Sequence, residues 1–378
     1  MSPAISDGAL TLLRRQSNQL SWRPNGQTNC SLKYMPNLLR HILLHFTLEF
    51  TPGQFQPGGG DAPWSPFVIV KQIQIRSSNG GIIKSVTGPQ MAILNKYEFG
   101  TMPYFNAVPT NPDETDTAFF SWDILIPFEN HTGILPERTV LNTNDFAELG
   151  LWITWGDWPD IWQTPPVSAA IVPDKFDITC DVIPLERLPF SDFDKALSRQ
   201  LMVDSYNSKP ITGTNVKFDL FDNTMLKTLM FIISRRVTEG TTPNFLNPYW
   251  QPIDHYDPNY ASNFNSDWLT RIEVKVNNEI DAYRSFDGFS QLKSVNKSFY
   301  SIESLETGVG IIEFDLNHDF STLFSTIGKN YPLLEFTFSQ PPPVIVNGIS
   351  YDEYKIELFT RQIVTPATVA PVPVIATI

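Results

Sequence analysis

The sequence predicts an all-β chain of two consecutive eight-stranded antiparallel jelly rolls, a double jelly roll, with an N-terminal helical arm and a few short helices. Three observations predict it. Apolar and polar residues alternate over many short runs. The 31 prolines are spread along the chain and punctuate it. A series of strand-like blocks occurs twice in the same order.

The alternation defines the strands. Ile73 and Ile75 alternate with Gln72, Gln74 and Arg76. Phe176, Ile178, Cys180 and Val182 alternate with Asp177, Thr179 and Asp181. Ile272, Val274 and Val276 alternate with Glu273, Lys275 and Asn277. Period two turns successive side chains to opposite faces, one buried and one wet. Many such strands between Pro/Gly/Asn loops build sandwiches or barrels.

The repeat defines the units. Thr28–Tyr34 parallels Thr214–Leu220, and both run on into Asn-then-apolar segments at Asn37 and Asn223. Lys71–Arg76 resembles Arg271–Val276 with a one-residue slip. Gly88 and Asn95-Lys96 match Gly288 and Asn296-Lys297. Phe120–Ile124 matches Ile312–Leu316, Leu151–Trp155 matches Leu334–Phe338, and Lys175–Cys180 matches Glu353–Leu358. Single matches are cheap, but six blocks recur in order at spacings of 178 to 201 residues. The spacing drifts because loops tolerate insertion. Each copy holds about eight strand candidates, the jelly-roll count.

Two segments carry helical spacing. Residues 6–19, with Leu10, Leu12 and Leu13 after Ser6 or Asp7, give the N-terminal arm. Residues 190–203 have apolar residues at helical spacing after Ser191 or Asp192. The expected organisation is therefore an arm over 1–19, a first jelly roll over 20–184 and a helix-bearing linker over 185–209. A second jelly roll over 210–365 and an extended Pro-rich tail over 366–378 complete it.

Composition narrows the function. Charged residues are 18% of the chain, against a usual ~25%, while 42% is apolar and 13% aromatic. Such a chain is not disordered. Two cysteines make neither a disulfide scaffold nor a usual structural zinc site. A net charge of −13 argues against sequence-specific nucleic-acid binding by the body of the protein. There is no run of 18 apolar residues and no signal-peptide pattern at the start, so synthesis in a cytoplasm is expected.

Two like β-units, a short basic arm and a Pro-rich tail resemble the double jelly-roll major capsid proteins of icosahedral double-stranded DNA viruses of the tectivirus–adenovirus type. The resemblance covers most of the chain and lies in architecture and length. It implies a homotrimer of pseudo-hexagonal outline, since three copies of two like units give six wedges. It further implies tiling with neighbouring trimers, contacts with minor capsid and vertex proteins, residence in the virion and, often, an internal lipid membrane beneath.

Surplus apolar surface on a low-charge chain suits obligate interfaces. Two long aromatic loops are candidate subunit-interface or tower elements: Trp155, Trp158 and Trp162 in one, and Phe245, Tyr249, Trp250, Tyr256 and Tyr260 in the other. The ordinary alternative is packing over the local core. Leu10, Leu13, Arg14 and Arg15 form a candidate arm facing the inner shell or anionic lipid. Cys30 and Cys180 fall on inward strand positions and are expected to be neighbouring free thiols in the first core. Their repeat counterparts, Val216 and Leu358, are plain hydrophobes.

Catalytic patterns are missing. There is no Walker A, GxGxxG, GxSxG, HExxH or CxxC motif. His41 and His45 are four apart, but their segment reads as strand, not as a metal-binding helix. Asp254–Asp257 reads as a solvated acidic loop. Asp157 and Asp160 are paired acids of unknown separation. Asn130-His131-Thr132 is a sequon that matters only on a secretory route. No catalytic, cofactor or metal residue is assigned. The rival functions are a glycan-acting amidase or glycosidase on two jelly rolls, and a carbohydrate-binding protein using Trp152, Trp155, Trp158 and Trp162 as a stacking platform.

Overall fold

The structure is a computed structural model. It describes residues 13–14, 18–32, 38–53, 58–77, 81–100, 116–130, 136–164, 172–187, 200–237, 249–253, 268–276, 283–300, 306–329, 331–342, 345–346, 349–350 and 353–364.

The first unit contains β1 (Leu13–Arg14), β2 (Asn18–Ser21), β3 (Gln27–Ser31), β4 (Leu38–Thr51), β5 (Gly58–Asp61), β6 (Val70–Ser77) and β7 (Ile82–Val86). Helix α1 (Gly88–Phe99) follows, then β8 (Ala118–Pro127), β9 (Leu141–Asn142), β10 (Leu149–Trp155), β11 (Trp162–Thr164) and β12 (Lys175–Arg187). The second unit contains β13 (Leu201–Pro210), β14 (Asn215–Asp219), β15 (Met225–Val237), β16 (Tyr249–Pro252), β17 (Leu269–Lys275) and β18 (Arg284–Phe286). Helix α2 (Phe289–Tyr300) follows, then β19 (Val309–Glu313), β20 (Phe324–Ser325), β21 (Leu333–Phe338), β22 (Ile345–Val346), β23 (Ile349–Ser350) and β24 (Tyr354–Val364).

Strand order shows the duplication. The first unit pairs β2-β12-β4-β8 in one sheet, with β9 also on β4, and β3-β10-β6-β7 in the facing layer. The second pairs β13-β24-β15-β19, with β20 also on β15, and β14-β21-β17-β18 opposite. These are the same two sheets with the same neighbours. The predicted double jelly roll is the observed fold.

Each core follows from the alternation. On β4, Ile42, Leu44, Phe46, Leu48 and Phe50 are fully buried, while His45, Thr47 and Glu49 face outward. Phe46 stacks on Trp122 at 5.1 Å between centroids and meets Trp155 edge-on. Phe218, Phe231 and Phe336 form the equivalent aromatic knot in the second unit. Offset and edge-to-face rings of this kind add stability beyond the area they bury.

Helix α1 starts where its sequence says it should. Thr87 is the N-cap and exchanges hydrogen bonds with Gln90 in a capping box, with Gly100 at the left-handed C-cap. Gly88 is required by packing, because a Cβ there would lie 2.3 Å from the Phe67 carbonyl oxygen.

Several expectations change. Leu13 and Arg14 form strand β1 opposite Glu186 and Leu185, and Asn18–Ser21 pairs with β12. The arm is therefore not helical at those positions, because β12 offers it a free edge. Residues 188–199, most of the second predicted helix, lie outside the described residues. Leu201–Val203 are strand, since β13 pairs along its whole length with β24. The segment read as linker thus contributes the end of β12 and all of β13 but its last residue. The 155–174 loop also contains regular structure: Trp158–Ile161 is a 3-10 turn and β11 pairs with β5.

The register also corrects the repeat by small slips. Leu151 stands opposite Cys30, and Leu334 opposite Phe218, so Cys30 corresponds to Phe218 and not Val216. By the same pairing through β4 and β15, Cys180 corresponds to Ile356 and not Leu358.

Candidate assembly surfaces

The two units are joined face to side. On β15, Leu229, Phe231 and Ile233 enter the second core. The alternate residues Met230 and Ile232 turn the other way and join the first unit's hydrophobic cluster, with Val203, Val309, Ile311 and Phe359. The second unit's β13-β24-β15-β19 sheet is therefore apolar on both faces. Thr228–Ser234 accordingly reads as a nearly continuous apolar run, as strands covered on both sides do. The first unit covers that outer face with α1, while β7 abuts the edge strand β13.

At the centre of the junction sits a buried charge network. Lys84 lies 2.8 Å from Asp204, and Arg361 grips both Asp204 oxygens at 2.8 and 3.1 Å. Arg361 also bonds Glu98 on α1. Lys84, Asp204 and Arg361 are at most 1% exposed. Burial pulls Lys84 down to about 8, with Asp204 opposing it. Burial alone would raise Asp204, but Arg361 and Lys84 outweigh it and hold it below the usual carboxylate range. The only β7–β13 pairing, parallel, is at this same point, Lys84 opposite Asp204.

Beside the network lies a cavity of about 220 Å³ lined by residues including Tyr97, Glu98, Lys227, Tyr300 and Glu313. Its carboxylates are engaged. Glu313 accepts from Thr228 at 2.8 Å and from Tyr300 at 3.3 Å, and Glu98 is held by Arg361. Burial raises the Tyr300 phenol well above its ordinary value, and Glu313 adds to this. The arrangement locks two units together.

Among the described residues, the counterparts of these joined faces are open. Helix α1 is buried on nearly every side, including Leu94 at its seventh position. Helix α2 buries Phe289, Leu292 and Asn296 but exposes Ser290, Gln291, Ser294, Val295, Lys297 and Ser298. Val295, at the same seventh position, is 47% exposed. Likewise, no described residue covers the outer face of the β2-β12-β4-β8 sheet. That face presents Gln19, His45, Thr47, Glu49, Asp123, Lys175, Asp177 and Asp181, with Phe119 at its edge; Lys175 pairs with Glu49 and His45 with Asp123. The sheet face is rich in acids, whereas α2 carries Lys293 and Lys297 and no acid. Tyr283, Leu316, Ile327 and Tyr331 add exposed apolar surface to the second unit.

The predicted interface residues divide. Trp155 and Trp162 are 1% exposed core residues, and Trp158 packs against them half-buried. They are not surface loops: Trp155 ends β10 with its indole N–H on Thr28, and Trp162 begins β11. This burial also removes Trp155 and Trp162 from a carbohydrate-stacking platform, while Trp152 and Trp158 are half-buried. Trp250 lies on β16 with the Lys355 ammonium 4.0 Å above its ring. Tyr249 is on the same strand, opposite Val237. Phe245, Tyr256, Tyr260, Leu10, Arg15 and the 366–378 tail lie outside the described residues. Asp254–Asp257 do too. Cys180 is buried and Cys30 only half-buried, because β3 lies at a sheet edge. Both are free thiols. Burial raises each thiol, and Cys30 raises Cys180 further, which puts the two near one another.

Sequence reasoning missed the junction network. Its signals were a lysine and an arginine inside apolar runs, Lys84 and Arg361, each partnered only by residues far along the chain.

No family model matches the chain, and no curated protein matches it. Solved structures do. The crystal structure of the STIV major capsid protein matches with TM-score 0.56 at 13% identity, covering 93% of this chain and 95% of that one. PBCV-1 VP54, fitted into a reconstruction of the virophage Sputnik, matches with TM-score 0.57 at 10% identity, covering 93% and 95%. The major capsid protein P2 of bacteriophage PM2 matches with TM-score 0.50 at 7% identity, covering 92% and 97%. The chain has the double jelly-roll fold of these proteins.

Proposed function

We propose that this chain is a viral major capsid protein whose homotrimers tile an icosahedral shell. One observation carries the reading. The first unit covers one face of the second, while the equivalent faces at the two ends of the chain stay open and differ in charge. Head-to-tail contacts between such faces form a ring if the rotation closes. Three chains supply six like wedges. Further partners on this reading are neighbouring trimers and minor capsid and vertex proteins, in a virion assembled after synthesis in a host cytoplasm. The N-terminal segment with Leu10, Leu13, Arg14 and Arg15 faces the inner side of the shell, over an internal membrane where one is present.

Fold alone does not choose a function, so the test is mass and shape. Sedimentation should give a particle of three times 42.8 kDa, and electron microscopy should show a pseudo-hexagonal outline. A monodisperse monomer at micromolar concentration overturns the proposal.

A further inference from the structure

The turn joining β19 to β20 carries an unexplained buried charge. Asp315 is 0% exposed. Its Oδ1 accepts the Phe320 N–H at 2.9 Å from across the turn, so the carboxylate faces the turn's interior. Its Oδ2 has no hydrogen-bond partner, and no lysine or arginine pairs with it among the described residues. A buried carboxylate lacking a counter-charge is costly unless something supplies one.

The residues around it are hard oxygen donors at a telling spacing. Asp315, Asn317, Asp319 and Ser321 follow one another at every second position. Calcium loops of the helix–loop–helix type take side-chain oxygens at positions 1, 3 and 5 and a main-chain carbonyl at 7, with glycine at 6 for a sharp turn. Here position 6 is Phe320, and its φ is +66°, the left-handed conformation that glycine otherwise provides. Asn317 donates through Nδ2 to Ser321 Oγ at 3.2 Å, which leaves its Oδ1 as an acceptor. Asp319 accepts the Ser321 N–H at 2.8 Å through Oδ1, with its side chain in solvent.

We infer that Asp315, Asn317, Asp319 and the Ser321 carbonyl form a calcium site. The ion takes the orphaned Asp315 oxygen and supplies the missing positive charge. Position 12, where a bidentate glutamate would stand, is Thr326, and its hydroxyl is committed to the Phe221 carbonyl at 2.8 Å. With two carboxylates the site is weak, on the order of 0.1–1 mM, as in extracellular modules. Magnesium, which demands near-ideal octahedral geometry, binds less well. The inference does not depend on the capsid reading.

The test is calorimetric titration of the chelator-treated, dialysed full-length protein with calcium chloride, with thermal unfolding alongside. Binding in the stated range is expected, with a rise in Tm of about 1–3 °C at 10 mM calcium. Asp315→Asn and Asp319→Ser should each weaken binding at least ~10-fold. Asp319 is exposed, so its variant remains informative if Asp315→Asn does not fold. No heat and no Tm change with the native chain overturn the site, and so does unaltered calcium binding by Asp319→Ser.

Discussion

Asn95 and Asn296 perform one task in two places. Each is the eighth residue of its helix. Asn95 donates to the Leu125 carbonyl at 2.8 Å and accepts the Leu125 N–H at 3.0 Å. Asn296 donates to the Ile311 carbonyl at 2.5 Å and accepts the Ile311 N–H at 2.9 Å. Leu125 and Ile311 lie on β8 and β19, edge strands of equivalent sheets. An edge strand with unpaired backbone groups invites pairing with another chain, and each helix closes that edge with one side chain. Asn95→Ala and Asn296→Ala each orphan a donor and an acceptor, so each should cost about 1–3 kcal/mol in urea unfolding. Aspartate restores the acceptor but not the donor and should rescue only in part.

This clamp also shows what was legible. Asn95-Lys96 and Asn296-Lys297 stood out as a repeated pair, and β3, β10 and β6 were matched to β14, β21 and β17 from alternation alone. The clamp refines the rest: it equates Leu125 with Ile311, whereas the block match of Phe120–Ile124 with Ile312–Leu316 runs six residues off. A slip by an even number keeps every side chain on its face, so alternation cannot detect it. The junction was illegible for a different reason. Met230 and Ile232 are ordinary strand residues, and only the docking of one unit on another decides that they are buried.

The buried Lys84–Asp204–Arg361 network joins the units. Removing Asp204 leaves buried Lys84 without its partner and Arg361 with Glu98 alone, so Asp204→Ala should cost about 3–5 kcal/mol in chemical denaturation. Replacing Lys84 by Met removes its desolvation cost along with the pair, and the loss should be clearly smaller. An equal loss for both variants would contradict the network's assigned geometry.

Glu129 makes the fold acid-sensitive. Burial would raise its carboxyl, but hydrogen bonds from His41 at 2.7 Å and from Arg40 bring it to about 2. Between pH 4.5 and 2 the unfolded chain binds more protons at this group, so stability rises with pH there. The contribution, roughly 2 kcal/mol, is complete above pH 4.5 and lost as pH falls towards 2. Glu129→Gln should flatten that part of the stability–pH curve measured by thermal unfolding.

The N-terminal segment has two parts with different roles. Leu20 is buried, and Trp22 packs edge-on against Phe176 at 5.0 Å. Deleting residues 1–12 should leave Tm unchanged. Deleting 1–22 strips β1 and β2 from β12, exposes an edge and should lower Tm and promote aggregation. Light scattering and thermal unfolding of the two truncations distinguish these outcomes.

Leu94 and Val295 occupy the same position of equivalent helices in opposite circumstances. Leu94 is 2% exposed at the junction with the second unit, and Val295 is 47% exposed. Aspartate at Leu94 buries an unpaired charge inside the chain and should cost at least ~3 kcal/mol, read as a fall in Tm. Aspartate at Val295 meets only solvent in the monomer, so its Tm should match that of the native monomer. In the trimeric ring proposed above, however, α2 with Val295 would be set against the outer sheet of the next copy, which carries Glu49, Asp123 and Asp181. Like charges across an interface are strongly unfavourable, so Val295→Asp should weaken trimerisation at least ~10-fold in sedimentation. Lys297→Glu should act in the same direction through lost attraction. A Val295→Asp chain that still sediments as a native trimer would place the subunit contact on some other face of the second unit.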